Sequence, residues 1–208
     1  MAINDVYEAV LRFDKGGMPA LVRQELDAGT DIPSLLNEGL IAALDEVGER
    51  FSRGELFIPE MLQAAQTAQQ GLDILKPLLT ETDNRSAGTV VIGTVKGDLH
   101  DIGKSLVKMM LKGAGFQVVD VGVDVPVERF VQAVEENRAD ILALSALLTT
   151  TMPAMGDAVA AFRGNGSRVK VMVGGAPVTE AFAERIGADG YAGDASQAVS
   201  LARRLMAG

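Results

Sequence analysis

The spacing of apolar positions changes near residue 84. From Asn4 to about Leu79 they recur at intervals of three and four: Val6, Val10 and Leu11; Leu21, Val22 and Leu26; Leu36, Leu40, Ile41, Leu44, Val47 and Phe51; then Met61, Leu62, Ala65, Leu72 and Leu75. Such spacing gathers each group on one face of a helix. Breaks at Gly16-Gly17, Gly29-Thr30-Asp31, Gly54 and Pro59 divide the region into about four helices, and a small four-helix bundle buries all four faces. Pro77 and the polar run Thr80-Glu81-Thr82-Asp83-Asn84-Arg85-Ser86 interrupt the period and read as a linker. The expected organisation is a helical domain over 1–84 followed by a second domain over 85–208.

Beyond the linker, short apolar runs alternate with amphipathic stretches. Strands are expected at Thr89 to Val95, Gln117 to Val121, Ile141 to Ser145, Val169 to Val173 and Gly190 to Ala192, with helices starting near Ile102, Val127, Pro153, Thr179 and Ala195. This alternation predicts a flavodoxin- or Rossmann-like parallel sheet covered by helices on both faces. The pattern admits either common doubly wound strand order. In the order 2-1-3-4-5 a crevice opens between strands one and three, where the loop Asp98-Leu99-His100-Asp101-Ile102-Gly103 meets the loop Ser145-Ala146-Leu147-Leu148-Thr149-Thr150-Thr151.

Composition narrows the function classes. The 208 residues are 48% hydrophobic, enough for one or two cores without covalent staples. A formal charge of −9 and the lack of any Lys/Arg cluster argue against nucleic acid as a partner. No apolar run approaches the ~20 residues of a membrane span, and the first residues lack a signal-like apolar core, so no membrane association is expected. The chain has no cysteine, which rules out disulfides and thiolate ligands and fits a reducing compartment; a cytoplasmic location is expected.

His100 is the one histidine of the chain, and it lies between a buried strand and a helix. Asp98, two residues earlier, can hold one ring nitrogen while the other faces a metal or substrate, and a hydroxyl from Ser145 or Thr151 across the crevice can in turn satisfy Asp98. A single histidine without cysteine cannot build a four-ligand zinc site from nitrogen and sulfur, so any metal must arrive held by something else. No dinucleotide glycine pattern follows the first strand, and Gly103-Lys104-Ser105 matches only the tail of a phosphate loop. Gly174-Gly175 after the fourth strand can admit close approach of a bulky group or form an ordinary turn.

Taken together, Asp98-x-His100-x-x-Gly103, Ser145-x-Leu147 with Thr149 and Thr151, and Gly174-Gly175 resemble the motif set of the cobalamin-binding module of methionine synthase and its relatives. The resemblance covers nearly the whole chain, because Gly48-Glu49-Arg50-Phe51 through Phe57-Ile58-Pro59 is similar to the four-helix domain that precedes such modules. The size resembles the small corrinoid proteins of methyltransferase systems for methanol, methylamines, betaines or aryl methyl ethers.

The resemblance implies that His100 is the lower axial ligand of cobalt, displacing the cofactor's own dimethylbenzimidazole, with Asp98 and then Thr151 as the relay behind it. Asp101, Ile102 and Gly103 belong to the same cofactor loop. Ser145, Leu147 and Thr149 would line the channel for the displaced nucleotide tail, with Gly174 and Gly175 beside it. Phe51, Ile58, Met61 and Leu62 would form the apolar cap over cobalt's upper face; read without the motif, these four are bundle core. The implied cofactor is cobalamin, as cob(I)alamin and methylcobalamin, or a related corrinoid. The implied activity is methyl relay between a substrate-specific methyltransferase and a second methyltransferase using tetrahydrofolate or coenzyme M, with a reductive activator of the corrinoid. The chain would be a carrier subunit without turnover of its own, and a hinge is expected at the linker. Three other readings stay open: a cobalamin-dependent sensor, which needs an output domain; the small subunit of an adenosylcobalamin mutase, which usually lacks the helical cap; and a cofactor-free flavodoxin-like interaction domain.

Overall fold

A computed structural model of the chain describes residues 3–78, 87–164 and 167–207. These residues fall into two compact units, one of 1–85 with 112–115, the other of 86–111 with 116–208. The expected linker from Thr80 to Ser86, and with it the boundary after Asn84 and the hinge, lies outside the described residues.

The helical unit contains α1 (Ile3–Leu11), α2 (Met18–Asp27), α3 (Ile32–Ser34), α4 (Ala42–Ser52) and α5 (Ile58–Leu75). A π-helical stretch, Leu35–Ile41, joins α3 directly to α4, so the described residues of this unit make four helical rods, as the spacing predicts. Asp31 starts the third rod, its carboxylate accepting from the Ser34 N–H at 2.9 Å, with Pro33 in the first turn. The wider π turn shifts the phase of the buried face. Leu35 and Leu40 are buried, whereas Leu36, expected in the core, is partly exposed. Val6, Val10, Met18, Val22, Val47 and Met61 complete the core of the bundle. Close approach of the rods requires Gly71, where a Cβ would lie 2.9 Å from a Leu40 methyl.

The second unit is a five-stranded, fully parallel sheet in the order β2-β1-β3-β4-β5. Its strands are β1 (Thr89–Thr94), β2 (Gln117–Asp120), β3 (Ile141–Ser145), β4 (Lys170–Gly174) and β5 (Gly190–Ala192). Between and after them run α6 (Ile102–Gly113), α7 (Val127–Asn137), α8 (Met152–Gly164), α9 (Glu180–Ile186) and α10 (Ala195–Ala207). Every strand and helix start agrees with the spacing to within a residue or so. Of the two orders the pattern left open, the chain adopts the flavodoxin-like one.

Central strand β1 is buried from Val90 onward, and β3 is buried from Ile141 to Leu144, which explains their continuous apolar runs. Gly93 breaks the β1 run for a packing reason. A Cβ there would meet the Phe130 ring at 2.6 Å and a Val121 methyl at 2.7 Å, and Phe130 is itself fully buried. Because β1 pairs with β3, with Thr94 opposite Ser145, the chain leaves both central strands at the same edge. The Val95 N–H donates to the Ser145 carbonyl at 3.0 Å, so the two loops start side by side at the switch point of the sheet.

Candidate functional site

At this switch point the structure brings together Asp98, His100 and Thr151. Asp98 is fully buried, and its carboxylate is surrounded by donors from both loops. Oδ1 accepts from the His100 N–H at 3.1 Å and meets His100 Nδ1 at 2.6 Å. Oδ2 accepts from the Leu147 N–H at 2.7 Å, the Leu148 N–H at 3.3 Å and the Thr151 hydroxyl at 2.8 Å. The same hydroxyl also lies 2.9 Å from the Leu148 carbonyl, so its one hydrogen has two acceptors. Burial favours the neutral acid, but the hydrogen bonds from Leu147, His100 and Thr151 outweigh it and hold the Asp98 carboxyl far below the ordinary carboxylate range.

An ionised Asp98 can only accept, which sets the tautomer of the neutral ring. Nδ1 carries the hydrogen, and Nε2 keeps its lone pair. The His100 side chain is 50% exposed while Asp98 is enclosed, so the arrangement presents one oriented nitrogen ligand from a rigid base. Among the described residues no group of three His, Asp or Glu side chains could hold a metal ion. A metal at His100 would have to bring the rest of its coordination with it.

The surroundings fit a large, flat, apolar group. Leu99 is 72% exposed, Ile102 78%, and Leu147 and Leu148 42% each, four large apolar side chains left in water on the two loops that hold His100. Clustered exposed apolar residues mark a ligand surface rather than a solvated one. Gly103, in the first turn of α6, has no positive φ, and a Cβ there would meet nothing within 4 Å. Nothing in the chain itself demands glycine at that place, which is what a group seated against the helix start would require.

The other expected residues take varied positions. Thr149 is exposed, and Ser145 ends β3 opposite Gly174, the last residue of β4. Gly174 and Gly175 are needed by the fold: a Cβ on Gly174 would lie 2.8 Å from the Ala192 carbonyl oxygen, and one on Gly175, whose φ is +133°, 1.9 Å from that of Ala146. Their Cβ directions are thus filled by the protein's own backbone. Asp101 is tied to Lys104 Nζ at 2.7 Å and accepts from the Ser105 hydroxyl at 3.0 Å. In the helical unit Phe51 and Leu62 are partly exposed, Ile58 is exposed and Met61 is fully buried.

Several contributors carried no signal in spacing alone. The Thr94 hydroxyl, buried at the end of β1, donates to the His100 carbonyl at 2.9 Å. Lys104 is almost completely buried, bridging Asp101 and, at 2.5 Å, Asp120 at the end of β2. Burial disfavours its charge, but these two carboxylates overcome that and raise its pKa, while Asp120, opposed by burial but bound by Lys104 and Lys108, is held low. Replacing Lys104 with methionine strands Asp120 without its closest partner, and a loss of about 2–4 kcal/mol is expected in denaturant unfolding of the sheet unit. Recovery of parent stability in K104M would show the network to be dispensable.

The B12 binding domain family matches residues 88–200, and a second B12 binding domain family matches residues 2–76. The chain is 44% identical over 208 residues to dimethylamine corrinoid protein 1 of Methanosarcina acetivorans, covering 99% of this chain and 97% of that protein. Trimethylamine corrinoid protein 1 of the same organism is 42% identical over 203 residues, covering 96% and 94%. The methanol:cobalamin methyltransferase complex MtaBC of Methanosarcina barkeri contains a chain of the same fold, with a TM-score of 0.86 and 29% identity over all of this chain and 80% of that one. With a B12 binding domain family matched over 88–200 and corrinoid proteins matched over nearly its whole length, the chain belongs to the cobalamin-binding corrinoid proteins of methyltransferase systems.

Proposed function

We propose that the chain is a methyl carrier that holds its corrinoid base-off, with His100 Nε2 as the lower axial ligand of cobalt. The observation that carries this reading is the His100 ring itself: Nδ1 is bound at 2.6 Å to a buried carboxylate, while the side chain as a whole is half exposed, which leaves Nε2 as the ring nitrogen to meet a metal. A bound corrinoid supplies a cobalt centre able to accept and release a methyl group. The protein's part is to tune that centre. Asp98 stabilises the imidazole in one tautomer and can share a proton with it whenever the ring is not bound to metal, and Thr151 with the Leu147 amide keeps Asp98 ionised. Leu99, Ile102, Leu147 and Leu148 exclude water from the lower face. In this reading Phe51, Ile58, Met61 and Leu62 of the helical domain, residues 1–84, would supply the apolar cap of the corrinoid.

Methylamines are the donors we favour. The relatives named for dimethylamine and trimethylamine match at 44% and 42% identity, which supports the class without separating its members. The partners would be a methylamine-specific methyltransferase, a second methyltransferase that passes the methyl to coenzyme M or tetrahydrofolate, and a reductive activator. The chain without cysteine is assigned to the reducing cytoplasm; among the described residues no helix is long and apolar enough to cross a membrane. The test is a mixing experiment with reduced, corrinoid-loaded protein and dimethylamine or trimethylamine. Methylation of the corrinoid, followed by its absorption spectrum, is expected only when the cognate methyltransferase is added. Demethylation by the loaded protein unaided would contradict the carrier assignment.

A further inference from the structure

We infer that Asp124 is a positioning residue for His100, an inference that rests on His100 being the cobalt ligand. Asp124 lies in the turn between β2 and α7, outside both loops that carry the site. Its φ is +52°, in the left-handed region where glycine is the less costly residue, and Gly122 two residues earlier already adopts +95°. An aspartate is kept there instead, and its atoms show why. Oδ1 accepts from the Gly97 N–H at 2.7 Å, and its own N–H donates to the Asp98 carbonyl at 2.9 Å. The left-handed turn is what directs both groups at the same loop.

These two bonds close on either side of the Gly97–Asp98 peptide, immediately before the residue that orients the imidazole. On the next residue, the Val125 N–H donates to the Thr94 carbonyl at 3.0 Å, so the turn is anchored to β1 as well. Gly97 has φ +84°, a conformation in which it gains no restraint from a side chain of its own. The Asp124 carboxylate supplies that restraint from outside. Without it, Asp98 keeps its donors from Leu147 and Thr151, the Asp124 N–H still reaches the Asp98 carbonyl and the Thr94 hydroxyl the His100 carbonyl, but the segment from Lys96 to His100 loses its tie at Gly97. Asparagine tolerates the left-handed conformation and has an oxygen that can accept from Gly97; alanine and glycine have none.

The test compares Asp124→Ala, Asp124→Gly and Asp124→Asn with the parent in two measurements. In unloaded protein, amide hydrogen exchange is followed at Gly97 and His100. In protein loaded with cob(II)alamin carrying nitrogen-15 in its benzimidazole, electron paramagnetic resonance gives the ratio of histidine-bound to benzimidazole-bound cobalt. The expected result is exchange at Gly97 and His100 faster by about fivefold in the alanine and glycine variants, the effect of losing one exposed hydrogen bond, and a histidine-bound to benzimidazole-bound ratio lower by a similar factor. Asparagine is expected to restore both. The glycine variant removes the carboxylate and relieves the left-handed backbone, so it reads the inference even if D124A folds poorly, and D124N, which keeps the acceptor and the side chain, separates loss of the hydrogen bond from added backbone freedom. Parent-like exchange and parent-like ratio in D124G would overturn the role of Asp124. Benzimidazole-bound cobalt in the parent itself would instead overturn the His100 reading, leaving the exchange data to judge the loop restraint separately.

Discussion

Asp98→Asn is expected to destabilise the sheet unit by about 2–4 kcal/mol and to abolish tight His100 ligation. The buried carboxylate accepts on both oxygens: from the His100 N–H and Nδ1–H on one side, and from Leu147, Leu148 and Thr151 on the other. An asparagine must turn its NH2 toward one set, so donors face donors in a buried site where each unmade bond costs about 1–3 kcal/mol. Denaturant unfolding of the unloaded variant measures the loss, and unchanged stability would mean that the five contacts are not made in solution.

The same group sets an acid limit. Folding lowers the Asp98 pKa from its ordinary 3.8, so the unfolded chain takes up the proton first as pH falls. The contribution of Asp98 is fully present above the unfolded value and is lost progressively as pH drops below it toward the depressed folded value. D98N should therefore lose the Asp98 share of the acid dependence below about pH 4, while the share of other lowered carboxylates such as Asp120 remains. A parent-like acid unfolding slope in D98N would assign that dependence to other carboxylates.

Gly175→Ala is the second large effect, and it acts through the fold. Its Cβ would fall 1.9 Å from the Ala146 carbonyl oxygen, on a backbone whose φ of +133° side chains rarely adopt. Neither neighbour is a flexible side chain end, so the β4 loop must move away from the β3 loop. A destabilisation of about 3 kcal/mol or more is expected, a fall of roughly 10 °C in the melting temperature of the sheet unit. Because the β3 loop carries Leu147 and Thr151, corrinoid affinity should fall with it. A thermal melt within a degree or two of the parent would show that the loops pack less closely than described.

The fold was legible because the hydrophobic period switches cleanly from helical spacing to buried strands, and because parallel strands joined by helices leave few topologies open. What spacing could not convey was the π turn at Leu35–Ile41. It moves the buried face from Leu36 to Leu35 without changing which residue types are present. Strand order was narrowed to two possibilities and needed the structure to choose. In the site, the Asp98 and His100 contact was legible from their separation of two; the facing loops left Ser145 or Thr151 as the hydroxyl that reaches Asp98, and the structure has Thr151. The roles of Thr94, Lys104, Asp120 and Asp124 were not legible, because they depend on which strand ends are neighbours. Lys104, read in sequence as the end of an incomplete phosphate loop, is in fact enclosed by Asp101 and Asp120. Gly174 and Gly175 were readable as places of close approach, and the approaching group proves to include the backbone of the adjoining β3 and β5 segments.

Ligation of cobalt by His100 Nε2 is tested most directly by the anaerobic electron paramagnetic resonance spectrum of the protein loaded with cob(II)alamin whose benzimidazole is labelled with nitrogen-15, compared with His100→Ala. Nitrogen-14 splitting is expected in the parent and its loss in H100A. Nitrogen-15 splitting in the parent would contradict that ligation, leaving the cofactor in place with its own base as ligand and His100 without the role assigned here.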